Sequence, residues 1–196
     1  MDARTTGQAA ARPSQATGDR KNPIFVVVGP PAVGKSTTSR ALAARFSKSI
    51  HLPVDDLRHM VVSGHVIPSP VWSDALREQL RLARASVLHM ALTYHHAGFA
   101  VVIDDFLDPH DPAAYHVVHQ HAPVHRIVLY PTQRTAHQRN LQRAGVSAER
   151  AYIDDGIGVI YQHLHGVVDQ LAQDGWRVVD TTHLSVEATV STILHA

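Results

Sequence analysis

Ile24-Phe25-Val26-Val27-Val28-Gly29-Pro30-Pro31-Ala32-Val33-Gly34-Lys35-Ser36-Thr37 sets an apolar, β-branched run directly ahead of a glycine-framed loop. A short run of this kind, ended by Gly29-Pro30, is the pattern of a strand buried on both faces of a parallel sheet. Residues 29–36 fit G-x-x-x-x-G-K-[ST], between a strand and an expected helix. The glycines let the backbone curl until its N–H groups face inward as an anion-binding nest. The N-terminus of the following helix adds its dipole. Gly29, Pro30, Pro31, Ala32, Val33, Gly34, Lys35, Ser36 and Thr37 are therefore the expected nucleotide-binding residues. Lys35 would reach the β- and γ-phosphates, and the Ser36 hydroxyl would ligate Mg²⁺. The pattern specifies a nucleoside triphosphate, taken as ATP, and is silent about the acceptor.

Outward from this loop, strands and helices alternate. Further strands are expected at 50–54, 99–103, 124–130 and 176–179, with helices after the loop and at about 111–121, 132–144, 147–172 and 186–194. A long amphipathic helix begins at Ser73, an N-cap, and ends at Gly98, with Leu76, Leu80, Ala83, Val87, Met90 and Tyr94 at steps of three and four. Such alternation implies a parallel sheet covered by helices on both faces, with ligands at the carboxyl ends of its strands. Residues 61–72, with Gly64, Pro68 and Pro70, have no clear period and read as an irregular excursion.

The strand ends carry acids. Val101-Val102-Ile103-Asp104-Asp105 finishes an apolar strand where a P-loop protein places the carboxylate that supports Mg²⁺. Asp104 is the first candidate and Asp105 the second, with one of the pair expected to cap the next turn. After the second strand come Asp55, Asp56, Leu57 and Arg58. A hydroxyl nucleophile needs an acceptor for its proton, and Asp55 is the candidate base. Asp56 is expected to cap the helix that starts here, and Arg58 either binds substrate or faces solvent. Past the fourth strand, Arg134, Arg139 and Arg143 fall within ten positions, the last two on one helix face. Guanidinium groups there could meet charge on a transferring phosphoryl group, on a segment that closes over ATP.

Length and composition bound the rest. The chain has 196 residues, enough for one α/β domain with an ample core, and its 44% hydrophobic and 18% charged residues indicate a globular protein. A formal net charge of +1 gives no general attraction to nucleic acid or membrane, so neither partner is expected. There is no cysteine, which excludes disulfides, thiolate zinc sites and a cysteine nucleophile and is compatible with a cytoplasmic setting. Residues 1–21 lack an apolar core of the secretory type and read as a tail, leaving a domain at 22–196. The 16 histidines are scattered, and only His116 and His119 have a helical spacing that could present two ligands together.

With these sites in place, the chain resembles the chloramphenicol phosphotransferase-like group of P-loop kinases, within a broader set that includes zeta-toxin-type kinases. The resemblance rests on residues 29–36, on Val54-Asp55-Asp56-Leu57, on Ile103-Asp104-Asp105, on the Arg139/Arg143 pair and on Asp180-Thr181-Thr182-His183. It implies five parallel strands in the order 2-3-1-4-5 and an aspartate base at Asp55. It also implies metal support from Ser36 and Asp104, an acceptor region at about 56–97 and a lid at about 132–150 around Arg139 and Arg143. The loop after the last strand would line the adenine pocket. The expected function is an ATP-dependent phosphotransferase acting on a hydroxyl of a small metabolite or antibiotic. A nucleoside or nucleotide kinase and a non-catalytic ATP-binding protein are the alternatives. Residues 61–72 carry no acceptor-specific signature, so chloramphenicol is not carried over as substrate.

Overall fold

The structure, a computed structural model, describes residues 22–67, 72–107, 115, 123–144 and 148–195. Five strands form one parallel sheet: β1 (Ile24–Val28), β2 (Ser49–Pro53), β3 (Ala100–Asp104), β4 (Val124–Leu129) and β5 (Arg177–Val179). Their spatial order is β2-β3-β1-β4-β5, as the family resemblance implies. The helices are α1 (Lys35–Ala43), α2 (Val54–His59), α3 (Asp74–His96), α4 (Gln133–Ala144), α5 (Ala148–Leu164), α6 (Val167–Gln173) and α7 (Val186–Leu194).

β1 is central because all five of its side chains are buried. Alternation sends Ile24, Val26 and Val28 into one core with Val87 and Ala91 of α3 and Leu171 of α6. Phe25 and Val27 enter a second core with Leu42 of α1, Ile157 of α5 and Val190 of α7. A strand between two such cores is apolar throughout instead of alternating, which is why the run at 24–28 is continuous. Parallel pairing with β3 and β4 then brings the ends of β1, β3 and β4 to one edge, where Gly29, Asp104 and Leu129 lie close together.

Some boundaries differ from the expectation. Val54 opens α2 instead of ending β2. Pro53 is the N-cap residue of α2, which has no side-chain cap, so Asp56 does not cap that helix. The single helix expected over 147–172 is two, because the chain breaks between Leu164 and Val167 at Gly166. Ser73 caps α3 as expected, its hydroxyl accepting from the Leu76 amide. The tail at 1–21 and, apart from Tyr115, the helix at 111–121 lie outside the described residues, as do 68–71 and 145–147. No described helix is long and apolar enough to cross a membrane.

One buried pair locks α3 to the sheet. The Arg84 Nε donates to Asp105 Oδ2 at 2.7 Å, and the Tyr115 hydroxyl donates to the same oxygen at 2.7 Å. Asp105 Oδ1 accepts from the amide of the next residue, Phe106. Burial pushes the Asp105 carboxyl up, against the pull of Arg84. Removing one member of a buried pair strands the other, which costs about 3–5 kcal/mol. Arg84→Leu is therefore expected to lower unfolding free energy by that amount in a urea melt, and a loss below about 1 kcal/mol would overturn the assignment.

Candidate functional site

Strand ends and helices from both halves of the sheet line one cleft of about 880 Å³. The loop of residues 29–36 forms its floor. Ala32 (φ 60°) and Gly34 (φ 93°) adopt left-handed backbone, which curls the loop ahead of α1. Gly29 is required for a different reason: a Cβ there would lie 2.5 Å from the Leu129 carbonyl oxygen, with no flexible atom to yield. The Lys35 Nζ donates to the Pro30 carbonyl at 2.9 Å, so the ammonium lies across the nest. Burial lowers the Lys35 pKa, opposed by the charges of Asp55, Asp104 and Asp105.

Asp104 stands beside this floor. Its Oδ1 accepts from the Ser36 hydroxyl at 3.2 Å, and its Oδ2 is bonded to His51 Nε2. Ser36 and Asp104 thus lie together, while Asp105, its side chain fully buried, points to Arg84. His51, which the sequence reading passed over, orients Asp104 from β2 through the parallel pairing of the two strands. The available signal was a ring nitrogen in the middle of a strand next to the one that ends in the acids.

Asp55, in the first turn of α2, lines the cleft with its side chain about half exposed. Its Oδ1 accepts from Arg58 Nη1 at 3.1 Å. Arg58 does not face solvent, and its Nε is buried without a hydrogen-bond partner among the described residues. It is 3% exposed, and its Nη2 donates to the Val66 carbonyl at 3.1 Å, fastening the segment after α2. Gln79 of α3 secures the same segment, its Oε1 accepting from the Val66 amide and its Nε2 donating to the Gly64 carbonyl.

The three arginines after β4 separate in space. Arg134 is exposed and is not among the cleft residues. Arg139 Nη1 donates to the Val33 carbonyl at 3.0 Å and to Thr181 Oγ1 at 3.1 Å, and its Nη2 donates to the Thr181 carbonyl at 2.6 Å. It ties α4 to the phosphate loop and to the turn after β5. Arg143, one turn further along α4, is exposed and lines the cleft. α4 is also braced against α5, where Asp154 Oδ1 accepts from Asn140 Nδ2 at 3.0 Å and lies 2.9 Å from His137 Nδ1. The run after β5 is shaped by Asp180, whose Oδ1 accepts from the Thr182 amide and hydroxyl. Those bonds hold its carboxyl below the usual range.

The cleft has two ends. Arg139, Thr181, Leu184 and Thr189 line the side under β4 and β5, and Asp55, Trp72, Leu76, Leu80 and Phe106 line the side under β2 and β3. The phosphate loop lies between them, so a molecule entering from each end would meet over Lys35 and Ser36.

The family model described as an AAA domain matches residues 24–156. The fold is shared with the tunicamycin resistance protein of Deinococcus radiodurans, at 18% identity and TM-score 0.60, over 88% of this chain and 93% of that one. A shikimate kinase from Acinetobacter baumannii, solved with shikimate, gives 18% identity and TM-score 0.60 over 88% and 90%. A gluconokinase from Sinorhizobium meliloti 1021 gives 16% identity and TM-score 0.56 over 90% and 91%. No curated protein matches in sequence.

Proposed function

This chain belongs to the AAA-domain family, and on its P-loop scaffold we propose an ATP-dependent phosphotransferase that moves the γ-phosphoryl group to a hydroxyl of a small molecule. The observation that carries this reading is the placement of Lys35, Ser36 with Asp104, and Asp55 around one cleft. ATP would lie with its base toward Thr181 and Leu184 and its phosphates in the nest of residues 29–36. The acceptor would enter between α2 and α3, within the region 56–97. Asp55 lines the cleft, its Oδ2 has no bond among the described residues, and it is assigned the proton of the attacking hydroxyl. Arg143 is assigned the charge that builds on the transferring group. Arg139 holds the lid region, 132–150, against the loop that binds the phosphates. A gluconokinase and a shikimate kinase on the same fold, at 16% and 18% identity, are consistent with an alcohol acceptor.

Mg²⁺ fits the residues present. Among those described, no three His, Cys, Asp or Glu side chains converge, so a cation here would depend on Ser36, Asp104 and phosphate oxygens. The 3.2 Å approach of the Ser36 hydroxyl to Asp104 Oδ1 sets two hard oxygen donors side by side. When bound, the ion neutralises phosphate charge. His51 holds the other carboxylate oxygen and acts as a positioning residue. Loss of such a partner typically weakens metal binding 10–100-fold. His51→Ala is therefore expected to raise the Mg²⁺ concentration for half-maximal turnover about 10–100-fold and to weaken magnesium-dependent ADP binding in calorimetry. His51→Gln should recover part of both. Unchanged Mg²⁺ dependence in His51→Ala would remove His51 from this role.

The overall reading is tested by ATP turnover across a panel of hydroxylated metabolites and antibiotics. A folded, ATP-binding protein showing no acceptor-stimulated turnover with any of them would count against a kinase and favour a non-catalytic nucleotide-binding protein.

A further inference from the structure

We infer that Tyr152 is a phosphoryl acceptor of the chain itself: when no acceptor molecule is present, the γ-phosphoryl group passes within one molecule to its phenol oxygen. The inference rests on the phosphotransferase reading of this cleft and names a modification site inside it. Tyr152 belongs to α5. Tyr152, Gly156, Val159 and Ile160 line the cleft at steps of three and four, so one face of that helix runs along the site. The residue is 42% exposed, which leaves its ring within reach of an incoming group. Its phenol lies close enough to Arg58 and Asp55 to feel both charges, and the Lys35 ammonium also feels Asp55. One acid is therefore near both the cation assigned to the phosphates and this hydroxyl.

Other hydroxyl groups along the cleft are placed differently. Ser36 faces Asp104, and Thr37 and Thr38 share the first turn of α1 with it, beneath the phosphates. Thr181 Oγ1 accepts from Arg139, Ser185 Oγ accepts from the Ala188 amide, and the Thr189 hydroxyl donates to the Ser185 carbonyl. All three are at the end assigned to the base of ATP. On the Asp55 side, Trp72, Leu76, Leu80, Phe106 and Ile160 carry no hydroxyl, which leaves Tyr152 among the described residues there. Partial burial raises the Tyr152 pKa, with Arg58 pulling it down and Asp55 pushing it up. The phenol thus keeps its proton at neutral pH, and transfer needs a base. The bond from the γ-phosphorus to the β–γ bridging oxygen breaks, and a bond from Tyr152 Oη to that phosphorus forms. The phenol proton goes to Asp55 Oδ2, and ADP leaves. Arg58 and Arg143 line the same cleft and offset the charge of the phosphotyrosine.

The test uses the full chain, treated with a phosphatase, repurified and then incubated with ATP and Mg²⁺ and no acceptor. Intact-mass spectrometry follows the product, and peptide sequencing locates it. One phosphoryl group per chain is expected, on Tyr152, accumulating at a first-order rate that dilution of the protein does not change. Tyr152→Phe keeps the ring and should abolish the mass gain while leaving affinity for a non-hydrolysable ATP analogue unchanged. Asp55→Asn should slow the modification about 10²–10⁴-fold, because the phenol loses its base. Phosphate on a different residue, undiminished incorporation in Tyr152→Phe, an unchanged rate in Asp55→Asn, or a rate that falls in proportion on dilution would each overturn the inference. An unmodified chain that nonetheless phosphorylates a member of the hydroxylated panel would sink it and leave the kinase standing. No transfer to Tyr152, to the panel or to water, in a folded protein that binds ATP, would remove the kinase reading and the inference together.

Discussion

Asp55→Asn is expected to lower acceptor-dependent ATP turnover by about 10²–10⁴-fold, the usual contribution of a general base, while ATP affinity stays within about twofold. The separation follows from position. Asp55 is on the β2 side of the cleft, away from the Thr181 end assigned to the base of ATP, and it makes no bond to the phosphate loop. Asparagine keeps the shape and can still accept from Arg58 Nη1 through its carbonyl oxygen, so the segment that Arg58 fastens at Val66 should hold. What is lost is the negative charge that takes a proton from the acceptor. Steady-state kinetics with ATP and with acceptor varied separately, beside ATP-analogue calorimetry, measure the two quantities. Turnover within threefold of the unmodified protein would show that Asp55 is not the base. An equal loss of turnover and ATP affinity would assign it a binding role instead.

Lys35→Met should have the second large effect, in two opposite directions. Turnover should fall by about 10²–10³-fold, the cost of losing one preorganised donor aimed at developing charge. The protein without nucleotide, in contrast, should melt at the same temperature or higher. Burial lowers the Lys35 pKa, so the charged ammonium is held at a cost relative to the unfolded chain. The sign follows from linkage: the unfolded state binds the proton more tightly, so that cost is present at neutral pH and is relieved as pH rises through the lowered folded value. Methionine matches the length of the stem and carries no charge, so the cost disappears. ATP-induced stabilisation, expected of the unmodified protein because phosphate oxygens would add anionic partners to the ammonium, should be largely lost. Thermal melts with and without ATP separate the two effects. A Lys35→Met protein that retained turnover and its ATP-induced shift would show that the loop does not bind phosphates.

Much of the fold was legible because the information is local. A continuous apolar segment at 24–28 reports burial on both faces, and Leu76, Leu80, Ala83 and Val87 report one buried face of a long helix. The misreadings fell where a local signal had two outcomes. Asp56 is as good a helix-opening residue as any acid, yet Pro53 and Val54 begin α2 without a side-chain cap. Arg84 was readable in principle, since it lies four residues after Leu80 and so on the buried face of α3, but an arginine there has meaning only with Asp105 behind it. His51 and Arg139 were harder still. Their partners are 53 and 42 residues away in sequence, and only the parallel register of β2 with β3, and the turn after β5, bring them together.

The amino-acid order alone settles the phosphate loop, because a left-handed backbone and a lysine at the head of a helix are written into consecutive residues. It also settles the alternation of strands and helices that sends acids to strand ends. Tertiary packing alone decided which acid faces the loop and which is locked to Arg84, and that Arg58 is tied up inside the protein. A side chain's role at a strand end depends on which neighbour across the sheet satisfies it first, and that neighbour is chosen by register and by the helices packed on each face.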